Sequence, residues 1–250
     1  MNQIHPGAHI ADGVVMGTGN NIGPGVVLGP GVSIGDDNVI HPNAVLYGPL
    51  SLGSRNWLGP SCWVGLPGQQ TGADHGQGWQ QQSGGESVVI GDDNVIREGV
   101  TVHAASTGST SIGSRTYLMT QVHIPHNAII CDDVTIAVGV ALGGHTTVQT
   151  GSNLGLNSTV HQYRVLGAGV MVGMGSVITR DIPPFATVFG SPARIRGCNR
   201  IRMQRMGFTE EEIDAVEAAL TGSEARYPDR LQRYVEDFDA AVLARRTENG

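Results

Sequence analysis

The chain has 250 residues and a formal net charge of −7, so it carries no basic surplus with which to hold a nucleic-acid backbone. All fifteen basic residues are arginine, which rules out lysine Schiff-base chemistry. Glycine is abundant at 37 residues but has no three-residue period, which excludes collagen, and no stretch is long and apolar enough to read as a membrane-spanning helix. The N-terminus shows no charged segment followed by an apolar run, so no signal peptide is expected. Cys62, Cys131 and Cys198 are an odd, scattered set and read as reduced thiols of a cytoplasmic protein.

A six-residue beat starts at Ile4. It holds through Ile10, Met16, Ile22, Leu28, Ile34, Ile40, Leu46, Leu52, Leu58 and Val64. It resumes at Ile90, Ile96 and Val102, and again from Ile112 through Ile124, Leu142, Val160 and Val172 to Ile178, giving 26 hexads in all. Neither a 3.6-residue helix nor a plain two-residue strand requires a period of six; a parallel β-helix with flat faces and sharp corners does. The aliphatic residue points inward, as does a smaller residue four positions on (Ala8, Val14, Val26, Val32, Ala44). Gly, Asn and Asp cluster at the corners, where positive φ or side-chain-to-backbone bonding is needed. Three faces per turn make about nine stacked coils, a prism roughly 40 Å long at ~4.8 Å per coil.

Two breaks and a tail interrupt the prism. The first is a Gly- and Gln-rich excursion over 66–88 that includes His75; loops of this length are often functional. The second adds four residues between Val102 and Ile112. After Ile178 the chain leaves the repeat through prolines. A β-helical domain over 1–190 and a small α-helical domain over 191–250 are expected. Thr209 and Glu212 form a possible capping box ahead of one helix. Leu231, Tyr234, Val235, Phe238 and Val242 form the apolar stripe of another. Arg194, Arg196, Arg200, Arg202 and Arg205 fall between, either as a solvated connector or as a contact for phosphate or an acidic carrier.

Coil arithmetic gives the first functional reading. Stacking in steps of eighteen from Ile124 reaches Leu142 and Val160. Stepping back eighteen and then the four inserted residues reaches Val102, and one coil further back is Val64, where the long excursion begins. His103, His123, His126, His145 and His161 therefore collect along one edge. His5, His9 and His41 read as polar corner residues. An imidazole can take a proton from a hydroxyl or amine as that group attacks a thioester, without a covalent nucleophile. No G-x-S-x-G elbow is present, and Cys131 has no evident partner. The Gly143–Gly144 pair, one coil above His126, can offer backbone N–H groups to an oxyanion.

These residues resemble the acyl-carrier-protein-dependent UDP-N-acetylglucosamine O-acyltransferases of lipid A synthesis, a family of hexapeptide-repeat acyltransferases. The likeness runs through IGDDNVIREGVTVH (90–103), MTQVHIPHNA (119–128), ALGGHTTV (141–148), STVHQYRVLGAGVMVG (158–173), RDIPP (180–184) and RMGFTEEEIDAVEAAL (205–220). It implies an all-β, left-handed parallel β-helix forming a triangular prism, a homotrimer, and active sites between subunits. By the resemblance His126 is the general base and the Gly144 amide the oxyanion donor. His103, His123, His145, His161 and Gln162 line the substrate cleft, and Asn199 and Arg205 lie near nucleotide or phosphate groups. Met174 sets a shorter acyl length than glycine would. No cofactor and no metal are implied. The co-substrate is an acyl-carrier-protein or coenzyme A thioester, and the acceptor a sugar hydroxyl of a nucleotide sugar. Three departures stand out. Asn127 follows the histidine where the family usually has Asp, and Asn can orient an imidazole but brings no negative charge. The 66–88 loop lacks the family's Asp-x-Lys element. Ile201 replaces Glu. Two alternatives remain: an acyltransferase for another sugar or amino sugar, and a zinc enzyme like the γ-class carbonic anhydrases using His103, His123 and His126.

Overall fold

The computed structural model describes residues 1–69, 87–222 and 226–249. Most of the 66–88 excursion, His75 included, lies outside the described residues. The chain coils as a left-handed parallel β-helix, and each of the 26 hexad aliphatics falls in its own short strand, from Gln3–Ile4 to Val177–Ile178. Strands recur on the same face every third hexad, building sheets of eleven, nine and eight strands. The inward column is dry: Leu28, Leu46, Leu58, Ile96, Leu118, Ile124, Ile136 and Leu154 are all 0–1% exposed. Each such side chain contributes roughly 1.5–3 kcal/mol of burial, but only once a neighbouring coil covers it.

Buried asparagines at one corner of the prism are satisfied by a ladder. Asn20 Oδ1 accepts the N–H of Asn38, Asn38 Oδ1 that of Asn56, and Asn56 Oδ1 that of Asn94, at 2.8–2.9 Å. Each of these amide nitrogens also donates to a glycine carbonyl at the same corner, so that this column of buried amides is paired.

Both breaks leave the stacking in register. Val64 pairs with Val102, Val102 with Ile124, and Leu142 with Val160. The eighteen-residue arithmetic therefore holds through the excursion and through the four-residue insertion. At the far end, the first face is completed by Ala186–Gly190 and an antiparallel partner, Ala193–Cys198.

Helix α1 (Arg200–Arg205) follows, capped by Asn199, and then α2 (Glu210–Leu220), whose Thr209–Glu212 capping box forms as the spacing predicts. Phe185, Cys198, Met203, Ile213, Val216 and Leu231 make a second small core over the prism end. A short 3-10 turn (Asp229–Leu231) leads into α3 (Gln232–Asn249). This helix turns back along the third face, where Thr147 and Val165 are buried at 5% and 0% exposure.

Candidate active site

The corner between the second and third faces carries the histidines. His123 is the outward residue of strand His123–Ile124, and His126 stands in the turn that follows. Asn127, His145 and Tyr163 lie eighteen residues apart at the same turn position, each with φ near 60°. Asparagine tolerates that conformation readily; histidine and tyrosine are held in it by the coils on either side.

The rings interlock. His103 meets His123 edge to face at 4.9 Å between centroids, His126 meets His145 in the same way at 5.3 Å, and His145 stacks on Tyr163 at 4.5 Å. Burial, with His123 and His126 close by, pushes the His103 imidazole down to about 4. Burial and the nearness of His126 also lower His123. His145 is lowered by burial against the opposing pull of Glu248, whose carboxylate lies 3.0 Å from its Nδ1. His161 stands further up the same edge with its Nδ1 3.2 Å from the Gln162 carbonyl oxygen. The His103 Nδ1 atom is buried without a hydrogen-bond partner among the described residues.

Glycine at 144 is dictated by His126. A Cβ there would sit 2.6 Å from Cε1 and 2.7 Å from Nε2 of the imidazole. Glycine at 143 is dictated by the coil above, since a Cβ would sit 2.5 Å from the Gln162 nitrogen. The coil-to-coil ladder takes up the amides on either side of Gly144, with Gly143 N–H donating to Val160 O and His145 N–H to His126 O, and among the described residues it leaves the Gly144 N–H out. The first residues of the long excursion lie across the same imidazole, for a Cβ on Gly68 would come within 3.0 Å of the His126 Cβ.

Two residues here escaped sequence reasoning. Arg245, only 5% exposed, donates to Thr147 Oγ1 at 2.9 Å, to the Asn127 carbonyl at 3.1 Å and to Glu248 at 2.7 Å. Glu248 in turn reaches His145. The C-terminal helix is thus clipped onto the histidine corner. A signal existed: Arg245 continues the apolar stripe of α3 at helical spacing, and a charge on such a stripe calls for a buried partner.

The remaining site residues lie elsewhere on the chain. Asn199, Arg202 and Arg205 border a cavity of about 390 Å³ with Asp133, Asn153 and Ile201, on the first face beside its corner with the third. Asn199 is partly occupied as a cap, accepting from Arg202 N–H and donating to Gly169 O. Arg200, in the arginine-rich connector, is paired with Glu210 and Asp214 of α2. Met174, 75% exposed, sits at the corner between the first and second faces, one coil above the exposed Leu156. Among the described residues no three His, Cys, Asp or Glu side chains converge as a metal site needs.

Comparison with known proteins points one way. A family model described as UDP-N-acetylglucosamine O-acyltransferase, domain 2, matches residues 181–225. The acyl-(acyl-carrier-protein)–UDP-N-acetylglucosamine O-acyltransferase of Pseudomonas savastanoi is 42% identical over 135 residues, covering 53% of this chain and 52% of that protein, so the match spans about half the length of each. The UDP-N-acetylglucosamine acyltransferase structure from Bacteroides fragilis superposes with a TM-score of 0.85 at 26% identity over 94% of this chain and 96% of its own. That from Moraxella catarrhalis gives 0.85 at 26% over 95% and 96%. The repeat, the interlocked histidine corner and this double likeness together make the chain similar to the acyl-carrier-protein-dependent UDP-N-acetylglucosamine O-acyltransferases, hexapeptide-repeat proteins.

Proposed function

We propose that the protein moves an acyl group from a carrier-protein or coenzyme A thioester to a hydroxyl of UDP-N-acetylglucosamine or a closely similar nucleotide sugar, the kind of transfer used in lipid A synthesis. The observation that carries this reading is the juxtaposition of the His126 Nε2 edge with the glycine turn at 144. His126 Nε2 takes the hydroxyl proton as the acceptor oxygen bonds to the thioester carbonyl carbon. The oxyanion that forms accepts from the Gly144 N–H. Collapse breaks the carbon–sulfur bond, and the thiolate leaves with the proton returned by the imidazolium. The products are an ester and a free thiol, with no cofactor or metal in the balance.

His103, His123, His145, His161 and Gln162 form the wall of the cleft on this reading. Asn199 and Arg205 are the nucleotide or phosphate contacts, and Met174 closes the acyl groove. Within one chain Asn199 and Arg205 lie away from the histidine corner, so a neighbouring copy must supply them. A homotrimer with sites between subunits meets that need. The second face also carries an apolar groove of about 300 Å³ lined by His9, Val27, Val45 and Tyr47, suited to cover by a second copy. Three free cysteines, two of them buried, fit a reducing cytoplasmic setting.

The test is mass spectrometry of the products from UDP-N-acetylglucosamine and acyl-carrier-protein thioesters of graded length. Acylated nucleotide sugar is expected from the wild type and none from His126→Ala, with the oligomer intact. No product from folded protein would redirect the search to another sugar or amino sugar; full transfer by His126→Ala would end the general-base assignment.

A further inference from the structure

The four-residue insertion between Val102 and Ile112 folds over the side chain of Asn127. Ser106 gives its backbone N–H at 3.1 Å and its hydroxyl at 2.9 Å to Asn127 Oδ1. The Thr107 carbonyl takes Asn127 Nδ2 at 2.6 Å. These backbone groups fix which way the amide points. An N–H only donates and a C=O only accepts, so the oxygen faces Ser106 and the nitrogen faces Thr107. Asn127 is itself immobilised: it is 6% exposed, its N–H donates to Thr110 Oγ1 at 2.8 Å, and its carbonyl accepts from Arg245.

The same Oδ1 lies 2.9 Å from His126 Nδ1. An amide oxygen can only accept, so in the neutral ring Nδ1 carries the proton and Nε2, toward Gly144, holds the lone pair. A carboxylate at 127 would change this. One of its oxygens would face the Thr107 carbonyl where the amide nitrogen now donates, acceptor against acceptor, and the loop contact would break or the acid would take up a proton.

We propose that the four-residue insertion between Val102 and Ile112 makes asparagine, rather than a carboxylate, the working partner of His126, and that Ser106 and Thr107 are positioning residues that set the tautomer of the base. The inference rests on the reading of His126 as general base. Its direct measure is not activity. Nitrogen-15 NMR of histidine-labelled protein, with His126 assigned by its loss in His126→Ala, should show the Nδ1–H tautomer in the wild type near neutral pH. Ser106→Ala should move that signal toward a tautomer mixture while the other histidines hold. Asn127→Asp, with the fold intact by circular dichroism, should lower kcat roughly 10-fold or more with KM little changed. An Nε2–H tautomer in the wild type overturns the proposal, and so does Asn127→Asp transferring at the wild-type rate or faster. Transfer by His126→Ala would sink the functional reading instead, and the tautomer spectrum would still decide the positioning claim by itself.

Discussion

Gly144→Ala isolates the geometry of the site from its stability. The added methyl would sit 2.6 Å from Cε1 and 2.7 Å from Nε2 of His126, so the ring must retreat by roughly 0.7–1 Å to reach ordinary contact. It has little room. Nδ1 is tied to Asn127 at 2.9 Å, and the His145 ring stands edge-on at 5.3 Å. The displacement therefore falls on Nε2, the atom that takes the acceptor proton in the proposed mechanism. A misplacement of about 1 Å costs about 100-fold in rate, or ~2.7 kcal/mol of transition-state stabilisation. The corner is half-open on its outer side, so the folded state should lose only about 1 kcal/mol. Gly143→Ala is the control, because its methyl would strike the Gln162 backbone, which cannot step aside, and should register in stability first. The assay is kcat for acyl transfer beside a urea unfolding curve for each variant. Wild-type kcat in Gly144→Ala would refute the argument, and so would a rate loss that tracks the loss of fold.

Arg245→Ala should release α3 from the third face. Truncation removes three hydrogen bonds and strands the buried Asn127 carbonyl, a loss of about 2–3 kcal/mol, read as faster amide exchange throughout α3; unchanged exchange would refute the clip. His103 should leave its mark in the pH dependence of stability. Folding holds its imidazole near 4 rather than 6.5, so the unfolded chain binds the proton more readily. Its contribution is whole above pH 6.5 and is lost as pH falls toward 4, about 3 kcal/mol in all. The urea midpoint of His103→Gln should therefore fall less steeply across that window than the wild type's, and parallel curves would contradict the assignment.

The prism was legible because its physics repeats. Each coil needs one inward aliphatic per face, so a period of six is written 26 times. The histidine corner was legible for the same reason: pairing of Val64 with Val102 and of Val102 with Ile124 shows that both breaks loop out without shifting the register. Arg245 and Glu248 were not, because their partners Asn127, His145 and Thr147 lie about a hundred residues away and no period relates a helix to a coil corner. The insertion was visible as four surplus residues, but its grip on Asn127 depends on where a loop with no repeat of its own folds back.

Both unrepeated elements, the insertion and α3, meet the repeated coils at Asn127. The turn at 126–127 receives the insertion on one side through Ser106 and Thr107, and α3 on the other through Arg245. The coil above brings Gly144 over the ring. The proposed base and the proposed oxyanion donor thus occupy adjacent rungs, whose separation of ~4.8 Å is set by backbone pairing rather than by loops. A site whose critical spacing is one rung of a stacked sheet needs its loops only for orientation, which is the task the insertion and the helix perform at Asn127 and His145.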